Sequence, residues 1–100
     1  RATRMRYARS GLPTSDIEAI EGNEGFAATA WMWATEFKTY MSRYNPNGGA
    51  SALDHPLGAS GVRMTATLLN QLESTGGTLG MQTMCEGGGQ ANCTVIEVVR

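Results

Sequence analysis

Histidine, cysteine and proline are scarce in this 100-residue sequence, which contains one histidine, two cysteines and three prolines. Two cysteines are too few for a disulfide framework, and without a second pair of cysteine or histidine ligands they predict no metal site. We therefore expect Cys85 and Cys93 to be free thiols. A chain of this length is expected to form a single domain over residues 1–100.

The sequence also lacks a run of basic residues and a long apolar run. Eight basic and nine acidic residues leave a formal net charge of −1, so we do not expect a nucleic acid partner. No apolar stretch approaches the roughly 20 residues that span a bilayer. The N-terminal segment RATRMRYARS has no apolar region of the kind that a signal peptide needs. These absences predict a soluble, cytoplasmic protein with no membrane partner.

Hydrophobic spacing and turn residues predict alternating helices and strands. The predicted elements are helices over 1–9, 24–43 and 59–74, strands over 17–21, 78–85 and 93–99, and a short extended segment over 50–53. We expect the second helix to be buried on much of its circumference and the last strand to be covered on both faces. This order predicts a layered α/β domain whose last two strands form a hairpin.

The single histidine lies in the segment ALDHPLGASG, residues 52–61. Pro56 fixes its own φ and biases His55 toward an extended backbone, so the imidazole has the restricted position that a general base requires. The small residues that follow leave room for a substrate at the start of the next helix, whose free N–H groups favour negative charge. The alternative is a packed or capping histidine followed by a simple turn, and this motif alone favours that alternative.

A second segment, MCEGGG at residues 84–89, places Cys85 at the end of a predicted strand. The bare backbone N–H groups of the three glycines that follow are suited to an oxyanion hole. A thiol beside an imidazole can act as nucleophile or proton carrier, whereas an isolated buried cysteine is normally a small hydrophobic residue. From the residues alone, both interpretations of Cys85 and His55 remain open. We expect Cys93, inside the last predicted strand, to belong to the core.

Three segments together resemble the C-terminal signature motifs of the thiolases. They are NEGFA at 23–27, NPNGGASALDHPLGASG at 45–61 and GMQTMCEGGGQAN at 80–92, and the resemblance extends over essentially the whole chain. It implies an acyltransferase that cleaves 3-ketoacyl-CoA with coenzyme A, or runs the reverse Claisen condensation, through an acylated cysteine. Coenzyme A thioesters would be its substrates, and no separate cofactor is implied.

The resemblance also implies a role for each matching residue. Cys85 matches the acid/base cysteine that moves the proton on the α-carbon of the substrate. His55 matches the histidine that activates the nucleophilic thiol and, with a water held by the residue matching Asn23, stabilises the enolate oxygen. Gly87 matches the glycine whose N–H helps to bind the thioester oxygen, and Phe26 matches a residue that lines the acyl pocket.

The sequence departs from the family pattern at several points. The acylated cysteine of the family belongs to the N-terminal half of a much longer chain, and nothing here resembles that half. Asp54 stands where the family usually has glycine, Gly25 where it has alanine, and Ser51 where it is generally apolar. These departures favour a catalytically silent fragment, selected or engineered to fold alone.

Two other functions stay open. One is the C-terminal half-site of an active thiolase that works with a missing N-terminal half, with acyl-CoA bound only when that half is supplied. The other, which we favour least, is a small hydrolase that uses Cys85 directly with His55, because no third group to orient the imidazole is evident.

The resemblance finally bears on the sheet and on oligomeric state. The C-terminal thiolase domain has a five-stranded sheet whose central strand comes first in sequence, and this chain starts after the corresponding position. Four strands would remain, and unpaired sheet edges invite pairing with another chain. We therefore expect a layered α/β domain derived from that fold but lacking its central first strand, either rearranged or intertwined as a homodimer.

Overall fold

The computed structural model, which describes residues 1–100, contains four α-helices and three strands. The elements are α1 (Ala2–Ser10), β1 (Ala19–Gly22), α2 (Ala27–Phe37), α3 (Ala50–Leu53), α4 (Ser60–Thr75), β2 (Leu79–Cys85) and β3 (Ala91–Glu97). One sheet with packed helices confirms the predicted α/β class. None of the helices is long and apolar enough to cross a membrane.

The sheet has three strands in the order β1-β2-β3. β1 pairs with β2 in parallel, with Ala19 opposite Gly80, and β2 pairs with β3 antiparallel, with Cys85 opposite Ala91. The second pairing confirms the predicted hairpin. Because β1 and β2 are parallel, their carboxyl ends lie at the same edge of the sheet.

The core lies on both faces of β1, whose four residues are all buried. On one face Ile20 packs with Ile17, Tyr44 and Met81. On the other face Ala19 packs against α4, which buries Leu68 and Leu72. The predicted helical spacing over 59–74 is thereby confirmed, because residues four apart on α4 share the buried face.

The extended segment predicted over 50–53 is wrong, because the structure has one turn of helix there, α3. The carboxylate of Glu24, far earlier in the chain, accepts a hydrogen bond of 3.0 Å from the Ser51 N–H in the first turn. A negative charge at this end of a helix is stabilising. The sheet accordingly has three strands rather than four.

The second helix is shorter and less buried than predicted. It ends at Phe37, where Lys38 adopts a left-handed conformation with φ of 48°, and none of its residues is fully buried. Ala30 and Trp33 pack against the core on one side, whereas Trp31 is 75% exposed. Only one side of this helix contacts the rest of the protein, so the apolar residues on its other sides stay exposed.

The prediction that the last strand is covered on both faces is confirmed in part, because both faces contact the core but the cover is incomplete. β3 is an edge strand with no fully buried residue. Cys93 and Val95 are partly buried against the core on one face, and Ile96 packs against the cluster of Ala19, Leu68 and Leu72 on the other. A nearly continuous apolar run therefore does not distinguish an edge strand from a central one.

Candidate active site

Asn23 and Cys85 lie together because they follow the paired ends of β1 and β2. The Asn23 N–H donates to the Thr83 carbonyl at 2.9 Å, which continues the parallel pairing one residue beyond β1. Cys85, a free thiol, is the last residue of β2 and is partly buried. Both residues line a small cavity of about 110 Å³. The structure thus places two of the predicted site residues around one space.

His55 is held by the start of α4. Its Nδ1 lies 2.6 Å from the Oγ of Ser60, and that hydroxyl donates to the Pro56 carbonyl at 2.8 Å. Because the single hydroxyl proton is directed to Pro56, the Ser60 oxygen accepts from His55. The network therefore assigns the proton to Nδ1 and leaves Nε2 as the basic nitrogen.

The basic nitrogen of His55 faces Asn23. Asn23 Nδ2 lies 3.5 Å from His55 Nε2, at the long limit of a hydrogen bond. The amide oxygen of Asn23 is buried and has no partner in the protein. The two residues together present a base, an amide donor and a free acceptor in one place.

Asp54 gives the residue before the histidine an unusual backbone. Its φ is 84° and its ψ is 162°, a region that glycine occupies almost exclusively. The Asp54 carboxylate accepts a 2.7 Å hydrogen bond from the backbone N–H of His55. A side-chain hydrogen bond thus supports a backbone conformation that is unfavourable for an aspartate.

Asn45 connects the two segments that carry Asn23 and His55. Its side chain accepts from the Gly22 N–H at 2.8 Å and donates to the Gly22 carbonyl at 2.9 Å, so it pairs with the end of β1 as a strand would. It also donates to the Glu24 carboxylate at 2.8 Å. Glu24 in turn holds α3, and α3 precedes His55.

Sequence reasoning did not identify Ser60 or Asn45 as positioning residues. Ser60 has no side-chain exposure, and its signal is a hydroxyl in the first turn of the helix that follows the histidine. Asn45 has a φ of 46°, a conformation in which asparagine is several-fold enriched. In the sequence, the feature that could have identified Asn45 is its place between an aromatic residue and a proline.

Gly87 and Phe26 take more exposed positions. Gly87 lies in the turn Gly87–Gly89 between β2 and β3, and a Cβ added to it would meet no other atom within 4 Å. Gly88 and Gly89 have φ values of 72° and 73°. Phe26 immediately precedes α2 and is 73% exposed. The roles of both residues stay predictions.

Two ionisable groups beside the site are shifted by burial. Burial raises the pKa of Glu21 to about 7, an effect that Arg63 opposes and Glu24 reinforces. Burial, together with the nearby Glu24, Glu21 and Cys85, raises the pKa of Tyr44 to about 12. Tyr44 therefore stays neutral near pH 7, and Glu21 carries its charge only at a cost in stability.

The fold and the site together define a class of protein. The layered α/β domain places an imidazole against the carboxamide of Asn23, and a thiol on the cavity that Asn23 lines. The comparison with known sequences is specific: the family described as "Thiolase, C-terminal domain" matches residues 1–98. The chain belongs to the thiolase family.

Individual relatives agree with this assignment. The chain is 51% identical over 96 residues to the steroid 3-ketoacyl-CoA thiolase FadA6 of Mycobacterium tuberculosis, covering 96% of this chain and 24% of that protein. It is 48% identical over 101 residues to a 3-ketoacyl-CoA thiolase of Alcanivorax borkumensis, covering 98% and 26% respectively. The chain therefore spans about a quarter of the length of these relatives.

Proposed function

We propose that this chain supplies the acid/base part of a thiolase active site and is catalytically silent by itself. The observation that carries the proposal is the connected arrangement of Ser60, His55 and Asn23, with Cys85 lining the same cavity as Asn23. The substrates would be 3-ketoacyl-CoA thioesters, as the names of the relatives indicate for those proteins.

His55 would serve as base first and as donor afterwards. Its Nε2, which the Ser60 contact leaves unprotonated, takes the proton of an incoming thiol and so produces a thiolate and an imidazolium. The resulting Nε2–H can then donate to the enolate oxygen of the substrate. Asn23 adds its Nδ2–H donor. Its buried Oδ1 has no hydrogen-bond partner in the protein, and buried polar atoms normally have such a partner. This oxygen is therefore suited to hold the water that the resemblance implies.

Cys85 would move the proton at the α-carbon of the substrate. As a thiolate it removes that proton in condensation, and as a thiol it returns the proton in thiolysis. The N–H of Gly87, two residues further on in the turn Gly87–Gly89, would donate to the thioester oxygen. Donors aimed at a developing negative charge are effective because they need no reorganisation during the reaction.

The silence of the isolated chain follows from its cysteines. The mechanism implied by the family needs a second cysteine that carries the acyl group, and only Cys93 remains. That residue lies within β3, and burial raises the pKa of its thiol, which disfavours the nucleophilic thiolate. The alternative function is the same half-site working in an active enzyme beside a complementary segment.

A transplantation experiment tests the proposal. The matching segment of the Mycobacterium tuberculosis relative would be replaced by this chain, and thiolysis of acetoacetyl-CoA would be measured for the chimera and for the chain alone. We expect turnover by the chimera, loss of that turnover with Cys85→Ala, and no turnover by the chain alone. Cys93→Ala in the chimera is the matched control and should leave turnover nearly unchanged.

Two results would contradict the proposal. One is a folded chimera with no activity, which would remove the acid/base role. The other is turnover by the isolated chain that Cys85→Ala abolishes, because one cysteine would then suffice as nucleophile and the chain would be an enzyme in its own right.

We further propose that the sheet is a rearranged form of the family's C-terminal sheet and that the chain self-associates. The direct pairing of β1 with β2 supports the rearrangement, and the exposure of Trp31, Leu57 and Val62 supports association. Light scattering that shows a monomer across the micromolar range would contradict the second part. A cytoplasmic location stays a prediction, in keeping with two free thiols.

A further inference from the structure

A groove on the far side of α1 from α2 carries an unusual concentration of positive charge. Four of the eight basic residues of the chain lie within residues 1–9, and the first acidic residue is Asp16. Three of these arginines, Arg1, Arg6 and Arg9, line a groove between α1 and the turn that joins β2 to β3. No acidic side chain lines it.

The three arginines are available for an external partner. The single ion pair in the structure joins Arg4 to Glu36, so none of the groove arginines is neutralised by a carboxylate. Arg6 is oriented by a 3.2 Å hydrogen bond from its Nε to the Cys93 carbonyl, which leaves the terminal nitrogens of its guanidinium free. A preoriented guanidinium loses less entropy when it binds an anion.

The opposite wall of the groove is formed by the turn after β2 and the start of β3, where Gly89, Gln90, Ala91 and Cys93 line it. In that turn the left-handed Gly88 and Gly89 have no neighbour within 4 Å of an added Cβ. Bare backbone N–H groups in such a turn are suited to anions. The groove encloses about 580 Å³, which is ample for a phosphate group with an organic substituent.

We propose that this groove, lined by Arg1, Arg6 and Arg9, binds a phosphate-bearing small molecule. Guanidinium groups bind phosphate through paired hydrogen bonds, which gives both strength and orientation. The site includes neither Cys85 nor His55. The spacing of Arg6 and Arg9 on one face of α1 sets both guanidinium groups against the same ligand.

Inorganic pyrophosphate is the probe for the test, used in isothermal titration of the 100-residue chain at low ionic strength. We expect saturable binding with one site, weakened by salt because the partners are charged. Arg9→Ala should weaken binding about tenfold, since hydrogen bonds between charged groups are the strong ones. Arg9→Lys should give an intermediate loss of affinity, because lysine keeps the charge but cannot form the paired hydrogen bonds of a guanidinium.

Arg4→Ala is the matched control, because Arg4 lies on the same helix with the same charge but pairs with Glu36 instead of lining the groove. It should change the affinity less than twofold. Absence of saturable binding would overturn the proposal, as would an equal loss in Arg4→Ala and Arg9→Ala. Both arginines are exposed, so these variants should fold, and circular dichroism verifies that they do.

A second titration identifies the source of the phosphate. Coenzyme A that binds more tightly than pyrophosphate, with the same dependence on Arg9, would identify the substrate's own phosphates as the ligand. Pyrophosphate binding that coenzyme A does not exceed would identify a separate organic phosphate. In either case an affinity that does not depend on Arg9 contradicts the site.

Discussion

His55 and Ser60 form the closest polar contact of the candidate site, with 2.6 Å between Nδ1 and Oγ. Ser60 is fully buried at the first position of α4, and α4 packs on the sheet through Leu68 and Leu72. The orientation of the imidazole is therefore set by a helix that is anchored in the core. The proline beside the histidine restricts the backbone, but the serine fixes the ring.

We expect Ser60→Ala to change the tautomer ratio of His55 clearly and to lower the free energy of unfolding only slightly. In the wild type the Ser60 oxygen accepts from Nδ1, so the Nδ1–H form should dominate at a pH where the ring is neutral. Without that acceptor the Nε2–H form should become prominent. Nitrogen chemical shifts of the ring measure the ratio directly. The lost hydrogen bonds should cost about 1 kcal/mol of unfolding free energy.

Ser74→Ala is the control for this prediction. Ser74 also lies on α4 and donates to the carbonyl of Gln71, three residues earlier, at 3.0 Å, but it is exposed and remote in sequence from His55. Its replacement should leave the tautomer ratio unchanged. An unaltered ratio in Ser60→Ala would show that another group holds the ring.

The backbone of Asp54 provides a second prediction. With φ of 84° and ψ of 162°, any side chain at this position is strained, at a cost of about 1–3 kcal/mol. Asp54→Gly relieves the strain, whereas Asp54→Ala keeps it; both lose the hydrogen bond to the His55 N–H. The glycine variant should therefore be more stable than the alanine variant by about 1–3 kcal/mol in urea denaturation. Equal stabilities would mean that the loop relaxes to a different conformation.

Several parts of this structure were predictable from local sequence. Gly11 and Gly76 both end helices in the left-handed conformation, with φ of 69° and 71°, because glycine adopts it without a steric cost. The core face of α4 follows from the spacing of its apolar residues. The placement of Cys85 at a strand end near Asn23 follows from parallel pairing, once the two strands are identified.

The parts that failed depend on how the elements pack and on the path of the chain between them. One turn of helix at α3 is stabilised by Glu24, which no local pattern around residue 50 reveals. The incomplete burial of β3 follows from its place at the sheet edge, and strand order is not encoded in the strand itself. The partnership of His55 with Ser60 depends on how the chain turns between α3 and α4. Local patterns specify elements, and the packing of elements specifies the site.

Glu21 gives a prediction for pH dependence. Burial raises its pKa in the folded state to about 7, whereas an unfolded glutamate titrates near about 4.3. The folded protein thus binds the proton more tightly, and its free energy of unfolding should fall as pH rises from about 4.3 to about 7. Glu21→Gln should remove this fall and be more stable than the wild type at pH 8 by at most about 3–4 kcal/mol.

Glu18 is the matched control, because its pKa is shifted in the opposite direction. The N–H groups of Thr78 and Leu79 donate to its carboxylate and lower its pKa. Glu18 therefore stabilises the fold above its unfolded pKa, and this stabilisation is lost as the pH falls through its folded pKa. Glu18→Gln should lower stability at pH 7 and leave the slope due to Glu21 intact. A Glu21→Gln variant with the wild-type slope would contradict the assignment.

The close contact between Gly22 and the Tyr44 ring gives a prediction about what holds the end of β1 in place. A Cβ on Gly22 would lie 2.5 Å from the ring carbon Cε2 of Tyr44, and Tyr44 is itself buried in the core. Gly22→Ala should therefore displace the ring and cost about 1–3 kcal/mol of unfolding free energy. Gly58→Ala, where an added Cβ meets nothing within 4 Å, should be nearly neutral.

Because Asn45 bonds both backbone groups of Gly22, the displacement should also reach Asn23, and the backbone amide shifts of Asn23 and Asn45 should move together. A destabilised variant in which those two amides do not move would separate the packing of Tyr44 from the geometry of the site.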